Sequence, residues 1–322
     1  MSKIDTTNFE YYTIAFYNLE NLFDTFDNKW TNDNDFLPNS EKRWTEKRYR
    51  KKLRKLGYAI SQIGIKTAQK APSILGVAEI ENKLVLEDLL NSKFLKNLPY
   101  DYVHYDSPDE RGIDVGLIYD TTVFEVTTSE VYPLELYDED GYRDYTRDIL
   151  VVEGVFNNSE TLYILVNHWP SRHEGEELTE PNRLSAAKKV IEIINTIKYE
   201  NENAKIIVMG DFNDGPQNNS IKHLVHNTDI YNPMFTLKDH NRGSLNYRKD
   251  WFLFDQILFT TNFFEIKPSA LSFSQAHIFD SEFLKQYKGK FQGAPFRTYV
   301  GLKYKGGYSD HFPVYVHLRQ SL

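Results

Sequence analysis

The chain has 322 residues, 46 acidic against 38 basic, a formal charge of -8 and no cysteine. Without thiols it can hold no disulfide framework, no cysteine-ligated zinc or iron–sulfur centre and no cysteine nucleophile, so any metal must be bound by oxygen or imidazole. Hydrophobic residues make up 40% and aromatics 15% of the chain, enough apolar surface to offset the ordering entropy, which excludes global disorder.

The acidic balance argues against a protein that grips nucleic acid by blanket phosphate neutralisation, while leaving room for a local basic patch. Met-Ser-Lys-Ile-Asp-Thr-Thr at the start has no apolar h-region, and no later stretch approaches the roughly 18 apolar residues of a membrane span. A soluble, cytoplasmic protein is the expectation.

In chain order, the apolar run Tyr11–Tyr17 predicts a first strand, followed by a polar loop over Asp24–Arg43. Thr45–Ile63 predicts a helix, with Tyr49, Leu53, Leu56, Ile60 and Ile63 spaced by three or four and Thr45 as N-cap. Strands follow at Ile74–Ala78, Val115–Tyr119, Ile149–Phe156 and Leu162–Val166. A second helix is expected to open at Pro181 and run to about Lys198, with Leu184, Ala187, Ile191 and Ile194 on one face. Ile206–Met209, Gln256–Phe259 and Val314–Leu318 complete the strands, and Phe279–Lys305 is a second candidate insertion or mobile loop. No linker, repeat or low-complexity tract interrupts the series, so one α/β domain over residues 1–322 is expected. The basic stretch Lys42–Lys55 reads as a solvated face opposite the apolar stripe, with a phosphate-contacting helix as the alternative.

Polar residues able to bind metals or move protons cluster at strand ends. Asn18 and Glu20 follow the first strand, Glu79 the second, Asn167-His168 the strand at 162–166, and Asp211 and Asn213 the strand at 206–209. Asp255 sits inside the run Trp251–Phe259, and Asp310-His311 precedes the last strand. Ligands of sheet-based enzymes bind at strand ends, so this repetition tells more than any single residue. Each has a plainer reading: an ion pair for Glu79, an Asx turn for Gly210-Asp211-Phe212-Asn213, a structural imidazole for His311, although that one follows an Asp directly. The echo between Asn167-His168-Trp169-Pro170 and Asp310-His311-Phe312-Pro313 hints at two sheets with a site between them. Gly-x-Ser-x-Gly, Walker A, a strand-linked Gly-x-Gly-x-x-Gly and His-Glu-x-x-His are all missing, which leaves an oxygen-rich site with two histidines. Such donors favour Mg²⁺, Mn²⁺ or Ca²⁺ over zinc.

Phe16-Tyr17-Asn18-Leu19-Glu20-Asn21-Leu22-Phe23-Asp24, Gly76-Val77-Ala78-Glu79, Arg111-Gly112-Ile113-Asp114-Val115-Gly116-Leu117-Ile118-Tyr119, Asn167-His168, Gly210-Asp211-Phe212-Asn213 and Ser309-Asp310-His311-Phe312-Pro313 stand in order along the chain. The ordered set resembles the endonuclease/exonuclease/phosphatase superfamily, which includes deoxyribonuclease I, exonuclease III-type abasic endonucleases, inositol polyphosphate 5-phosphatases and bacterial sphingomyelinases. It spans residues about 14–318, and Asn-His-Trp-Pro-Ser-Arg resembles a bacterial endonuclease-like branch. The resemblance implies a four-layer α/β sandwich, two mixed β-sheets face to face with helices outside, and a Mg²⁺-dependent phosphoesterase of the phosphodiesterase or nuclease type. It implies Glu79 as principal Mg²⁺ ligand, with Asn18 nearby and Asp310 available to the same or a second ion. Asp211 and Asn213 would hold and activate the attacking water. His311 would contact the scissile phosphate or act as base, with Asp255 orienting its ring, and His168 would stabilise the phosphate or protonate the leaving oxygen. Arg111, Arg172 and Arg183 are candidate phosphate clamps, since a guanidinium can bond two phosphate oxygens at once, with plain surface arginines as the alternative. The implied partner is a phosphate ester, DNA or RNA among the options. Rival readings are a phosphomonoesterase, a lipid-headgroup or inositol phosphoesterase, and a binding module without turnover. The stretch Arg248-Lys249-Asp250-Trp251-Phe252-Leu253-Phe254-Asp255 departs from the Arg or Trp-Arg that the family's nucleases often carry before this Asp, which bears on substrate contacts more than on the hydrolytic core.

Overall fold

The computed structural model describes residues 9–321 other than 139, 174, 238, 240 and 268. One six-stranded sheet holds β1 (Phe9–Leu22), β2 (Ile74–Ile80), β3 (Tyr100–His104), β4 (Asp114–Asp120), β15 (Ser272–Ile278) and β18 (Val314–Ser321), in the order β15-β18-β1-β2-β4-β3. The other holds β5 (Phe124–Tyr132), β8 (Ile149–Phe156), β9 (Glu160–His168), β10 (Lys205–Asp211), β11 (Ile230–Tyr231) and β14 (Asp255–Thr260), in the order β11-β14-β10-β9-β8-β5. Three ribbons pair β6 (Leu136–Tyr137) with β7 (Arg143–Asp144), β12 (Leu245–Tyr247) with β13 (Asp250–Phe252), and β16 (Tyr299–Val300) with β17 (Lys303–Tyr304). Both sheets are mixed: β1 with β2, and β9 with β10, run parallel among antiparallel neighbours.

Strand alternation assigns the layers. In β10, Ile207 and Met209 join Ile14 and Phe16 of β1, Ile257 and Phe259 of β14 and Val314 and Val316 of β18 in one buried cluster between the sheets. Ile206 and Val208, pointing the other way, join Ala187, Val190 and Ile194 of α4 (Glu176–Glu200). Helix α1 (Glu46–Gln62) packs Leu53, Leu56 and Ile60 into the first cluster, together with Val85 and Leu89 of α3 (Lys83–Leu90). The short α2 (Ile65–Ala68) follows α1, and α5 (Asn219–His226) packs beside α4. The result is the expected helix–sheet–sheet–helix sandwich.

All eight expected strands are present, and α1 lies between Thr45 and Ile63 as its flanking caps. Helix α4 opens at Glu176, five residues before Pro181: Glu176 and Glu177 in the first turn favour that start, and the proline is carried in the second turn at the loss of one ladder bond. Strand β5 escapes the apolar criterion because it is an edge strand that buries Phe124 alone. The loop Asp24–Arg43 is pinned through Phe36, which stacks on Phe23 with centroids 4.6 Å apart and meets Trp44 edge-on. The basic stretch is not purely a solvated face. Lys52 is 2% exposed and donates to the Glu20 carbonyl and, at 3.0 Å, to Thr298 Oγ1, while Lys55 donates to the Gly306 carbonyl at 2.6 Å. The helix thereby ties the 298–306 segment to the end of β1.

Two glycines allow close approaches near the strand ends, one between the sheets and one between neighbouring strands. A Cβ on Gly76 would stand 2.5 Å from Met209 Sδ across the sandwich, and one on Gly210 would stand 2.3 Å from the Asn167 carbonyl oxygen. A thioether can swing away and a strand carbonyl cannot. Gly210→Ala is therefore expected to cost about 2–3 kcal/mol in urea denaturation and Gly76→Ala distinctly less; the reverse order would contradict this packing.

His317 on β18 is 1% exposed, ringed by Tyr11, Tyr315 and His277. Burial, reinforced by the neighbouring His277, pushes its pKa down to about 4 from 6.5. As pH falls the unfolded chain takes up this proton first, so the stability is complete above pH 6.5 and is lost as pH drops from 6.5 toward about 4. His317→Phe is expected to flatten this part of the wild-type stability–pH curve; an unaltered slope would contradict it.

Candidate active site

The register of the second sheet places three of the singled-out residues on one rung. Asp211 on β10 pairs with His168 on β9 and with Asp255 on β14. From the opposite sheet, Asn18 leaves β1 and Glu79 leaves β2, at points where the ladders bulge between Asn18 and Leu22 and between Ala78 and Ile80. Asn18, fully buried, donates through Nδ2 to Glu79 Oε1 at 3.2 Å and to Asp211 Oδ2 at 3.0 Å, so one amide touches a carboxylate of each sheet. Its Oδ1 accepts from the Glu20 N–H at 2.9 Å.

Four non-glycine residues here sit in the left-handed region: Glu20 (φ 52°), Asn21 (50°), Glu79 (61°) and Asn213 (49°). Such strain costs roughly 1–2 kcal/mol per residue and is retained where the surroundings fix it. The bonds that fix it are visible. Asn21 N–H donates to Glu79 Oε2 at 2.7 Å, Asn213 N–H to Asp211 Oδ1 at 3.0 Å, and Asn213 Nδ2 to the Trp169 carbonyl at 3.0 Å.

His311 stands just ahead of β18, in the first sheet, but its Nδ1 bonds Asp255 Oδ2 of the second at 2.7 Å. Its Nε2 lies 3.8 Å from Asp211 Oδ2, and His168 Nε2 lies 3.9 Å from the same oxygen. Burial opposes a charge on His311, but the carboxylates of Asp255 and Asp211 outweigh it and hold its pKa well above the ordinary value. His168 goes the other way: burial, with Arg147 and Arg111 adding, keeps it neutral. Asp211 is pushed up to about 6 by burial, with Asp255 adding and His311 opposing. Two imidazoles of opposite charge state thus face one carboxylate.

Asp310 is half-buried and paired with Arg297, and its other oxygen lies 3.9 Å from His311 Nε2. Behind it Glu20, raised to about 7 by burial and by Asp310, accepts the Thr298 N–H. Arg111 is 47% exposed at the mouth, bonded to Asn21 Oδ1 and 4.0 Å from Glu79 Oε2. Arg172 lines the same 730 Å³ pocket as Arg111 but already bonds Asp214 at 2.5 Å, Glu176 at 2.6 Å and the Asn213 carbonyl at 2.6 Å.

The expectation for Arg183 is corrected. Its side chain is 0% exposed and its Nε meets Asp214 Oδ1 at 2.8 Å, so it reaches no substrate surface and instead neutralises the carboxylate next to Asn213. Sequence reasoning also missed Arg147, which donates to Asp109 Oδ2 and to the carbonyls of His168 and Trp169, holding the His168 turn from behind. Neither arginine has a local sequence signal, because each counter-ion comes from a different segment.

The donor set suits a hard divalent cation. Asp211, Asp255 and His311 converge within 4.8 Å of one another; with His311 engaged by Asp255, the carboxylate oxygens of Asp211 and of Glu79 beside it are the donors left for an ion. Oxygen and imidazole donors without sulfur fit Mg²⁺, Mn²⁺ or Ca²⁺.

Residues 13–320 match the sequence pattern described as the Endonuclease/Exonuclease/phosphatase family. The chain belongs to this family. A family protein of Bacteroides thetaiotaomicron shares 17% identity over 98% of this chain and 100% of its own, with a TM-score of 0.58. The B. thetaiotaomicron mannosyl-6-phosphatase Bt3783 shares 16% over 95% of this chain and 99% of its own, with a TM-score of 0.55. D. rerio TDP2, in complex with a single-strand DNA product, shares 14% over 96% of this chain and 98% of its own, with a TM-score of 0.56. No curated protein sequence matches the chain significantly. Members of this family are phosphoester-hydrolysing enzymes, and so is this chain. Among the described residues no helix is long and apolar enough to cross a membrane.

Asp214→Asn would strip the fully buried Arg183 of its counter-ion. We expect a loss of about 3–5 kcal/mol in chemical denaturation; a loss near zero would contradict the structural role given to this pair.

Proposed function

We propose that the protein is a Mg²⁺-dependent phosphodiesterase in which water attacks phosphorus in line. The observation that carries this reading is the convergence of His168 Nε2 and His311 Nε2 on one Asp211 oxygen, beside the Glu79 carboxylate. In-line hydrolysis needs a held water, compensation for charge on the phosphoryl oxygens, and help for the leaving oxygen.

Glu79 would be the principal ion ligand, with Asn18 and Asp310 flanking it. Mg²⁺ bound there would supply Lewis-acid charge to the phosphate. Asp211, whose pKa of about 6 suits a base near neutrality, accepts the proton of the attacking water, and the strained turn at Asn213 holds that water beside it. His311, kept charged by Asp255, faces the phosphate as a cationic donor. His168, neutral, donates a hydrogen bond to the phosphoryl or leaving oxygen. Arg111 approaches a phosphate from the mouth of the cleft, while Arg172, already bonded to Asp214 and Glu176, forms the wall beside it. We read residues 1–322 as one catalytic unit, a reading supported by the pairing of β1 with β18 at the two ends of the chain.

A phosphomonoesterase is the second reading, since one similar structure is a mannosyl-6-phosphatase. Against p-nitrophenyl thymidine 5′-phosphate, Asp211→Asn and His311→Ala are each expected to lower kcat/KM by about 10²–10⁴-fold. EDTA should abolish turnover and added Mg²⁺ restore it. Full activity in both variants, or turnover indifferent to EDTA, would overturn the assignment; turnover of the matching monoester alone would favour the second reading.

A further inference from the structure

In a protein of net charge -8, one groove beside the site gathers cations with no counter-ion. It is about 550 Å³ in volume, walled on one side by the β12–β13 hairpin, which carries Arg248 and Lys249, and on the other by Lys288, Lys290 and Lys305. Among the described residues none of these five pairs with a carboxylate, and the one acid on the wall, Asp310, is taken by Arg297. Unneutralised cations converging on one concavity raise the local concentration of anions.

The hairpin tip supplies an independent sign. Tyr247 pairs with Asp250, leaving a two-residue turn in which Arg248 has φ 52° and Lys249 φ 81°. Turns of this shape favour Asn-Gly, and two long cationic side chains there are strained. Strain of this kind is kept where the side chain has work that the favoured residue cannot do.

The groove is continuous with the reaction centre. Arg297 and Asp310 line both it and the smaller pocket formed with Glu20 and Asn21, and Leu245 of the hairpin pairs with the backbone of His311. Tyr247 and Phe291, 56% and 43% exposed, offer ring faces at its rim.

We propose that this groove binds a non-scissile phosphate, so that the substrate carries at least one phosphate beyond the one cleaved. The phosphoesterase reading above places the scissile phosphate; the groove supplies a second charge anchor beside it.

The test is binding without turnover. Fluorescein-labelled hexathymidylate is titrated in EDTA onto the wild-type protein, onto Arg248→Asn/Lys249→Gly and onto Lys288→Gln/Lys290→Gln. Each double variant should weaken binding by about tenfold, and the slope of log affinity on log salt should fall by about 1.4, two charges on a single strand. The hairpin variant should melt no lower than wild type, because its turn is relaxed, which separates lost charge from lost fold. Displacement by inositol hexakisphosphate would mark phosphate alone as the recognised group; failure to displace would mark a strand whose bases stack on Tyr247 and Phe291. Unchanged affinity and slope in both variants, or no binding of either probe to wild type, would overturn the proposal. Because EDTA removes turnover, these outcomes stand apart from success or failure of the hydrolase reading.

Discussion

One side-chain amide joins the two halves of this sandwich where its chemistry lies. Asn18 comes off the first sheet, donates at 3.2 Å to Glu79 of that sheet and at 3.0 Å to Asp211 of the other, and is fully buried. Buried bonds to charged acceptors contribute about 1.5–3 kcal/mol each. A second stitch, His311 Nδ1 to Asp255 Oδ2 at 2.7 Å, crosses the same gap, and Ser309 Oγ, which accepts the His311 N–H, donates to the Asn18 carbonyl at 2.7 Å. Carboxylates that would otherwise repel are thereby held within reach of one another. The apolar core between the sheets cannot do this, since hydrophobic burial has no direction.

The electrostatics follow from that confinement. Burial discourages every charge, and the geometry decides which survive: His311 keeps its proton between two carboxylates, His168 loses its own beside two arginines, and Asp211 rises toward neutrality. Around this centre the arginines divide into two kinds. Arg147 and Arg183 are buried and spent on Asp109 and Asp214, stiffening the turns that carry His168 and Asn213. Arg111 stays half exposed at the mouth. The net charge of -8 is therefore compatible with an anionic substrate, because a cation bound among the acids inverts the local field.

What could be read from the sequence was whatever has a short period. Strand-length apolar runs, the helix at 45–63 and the polar residues just past strand ends all follow from local pattern, and those strand-end residues do meet in one cleft. Edge strands such as β5 bury too little to stand out. The duty of an arginine was illegible, because Arg172 and Arg183 look alike in sequence and differ only in how deeply Asp214 draws them in. Lys52, one cation among nine on a basic stretch, is likewise set apart only by a tertiary contact with Glu20 and Thr298.

If, as proposed, this cluster activates water with no protein nucleophile, the reaction leaves a stereochemical signature that a single turnover in water enriched in the heavy oxygen isotope reads. Direct attack predicts that the first phosphoryl product carries one solvent oxygen and that a chiral phosphorothioate substrate inverts at phosphorus. Net retention at phosphorus, the mark of two successive displacements with solvent entering in the second, would place a covalent intermediate on a side chain and contradict it.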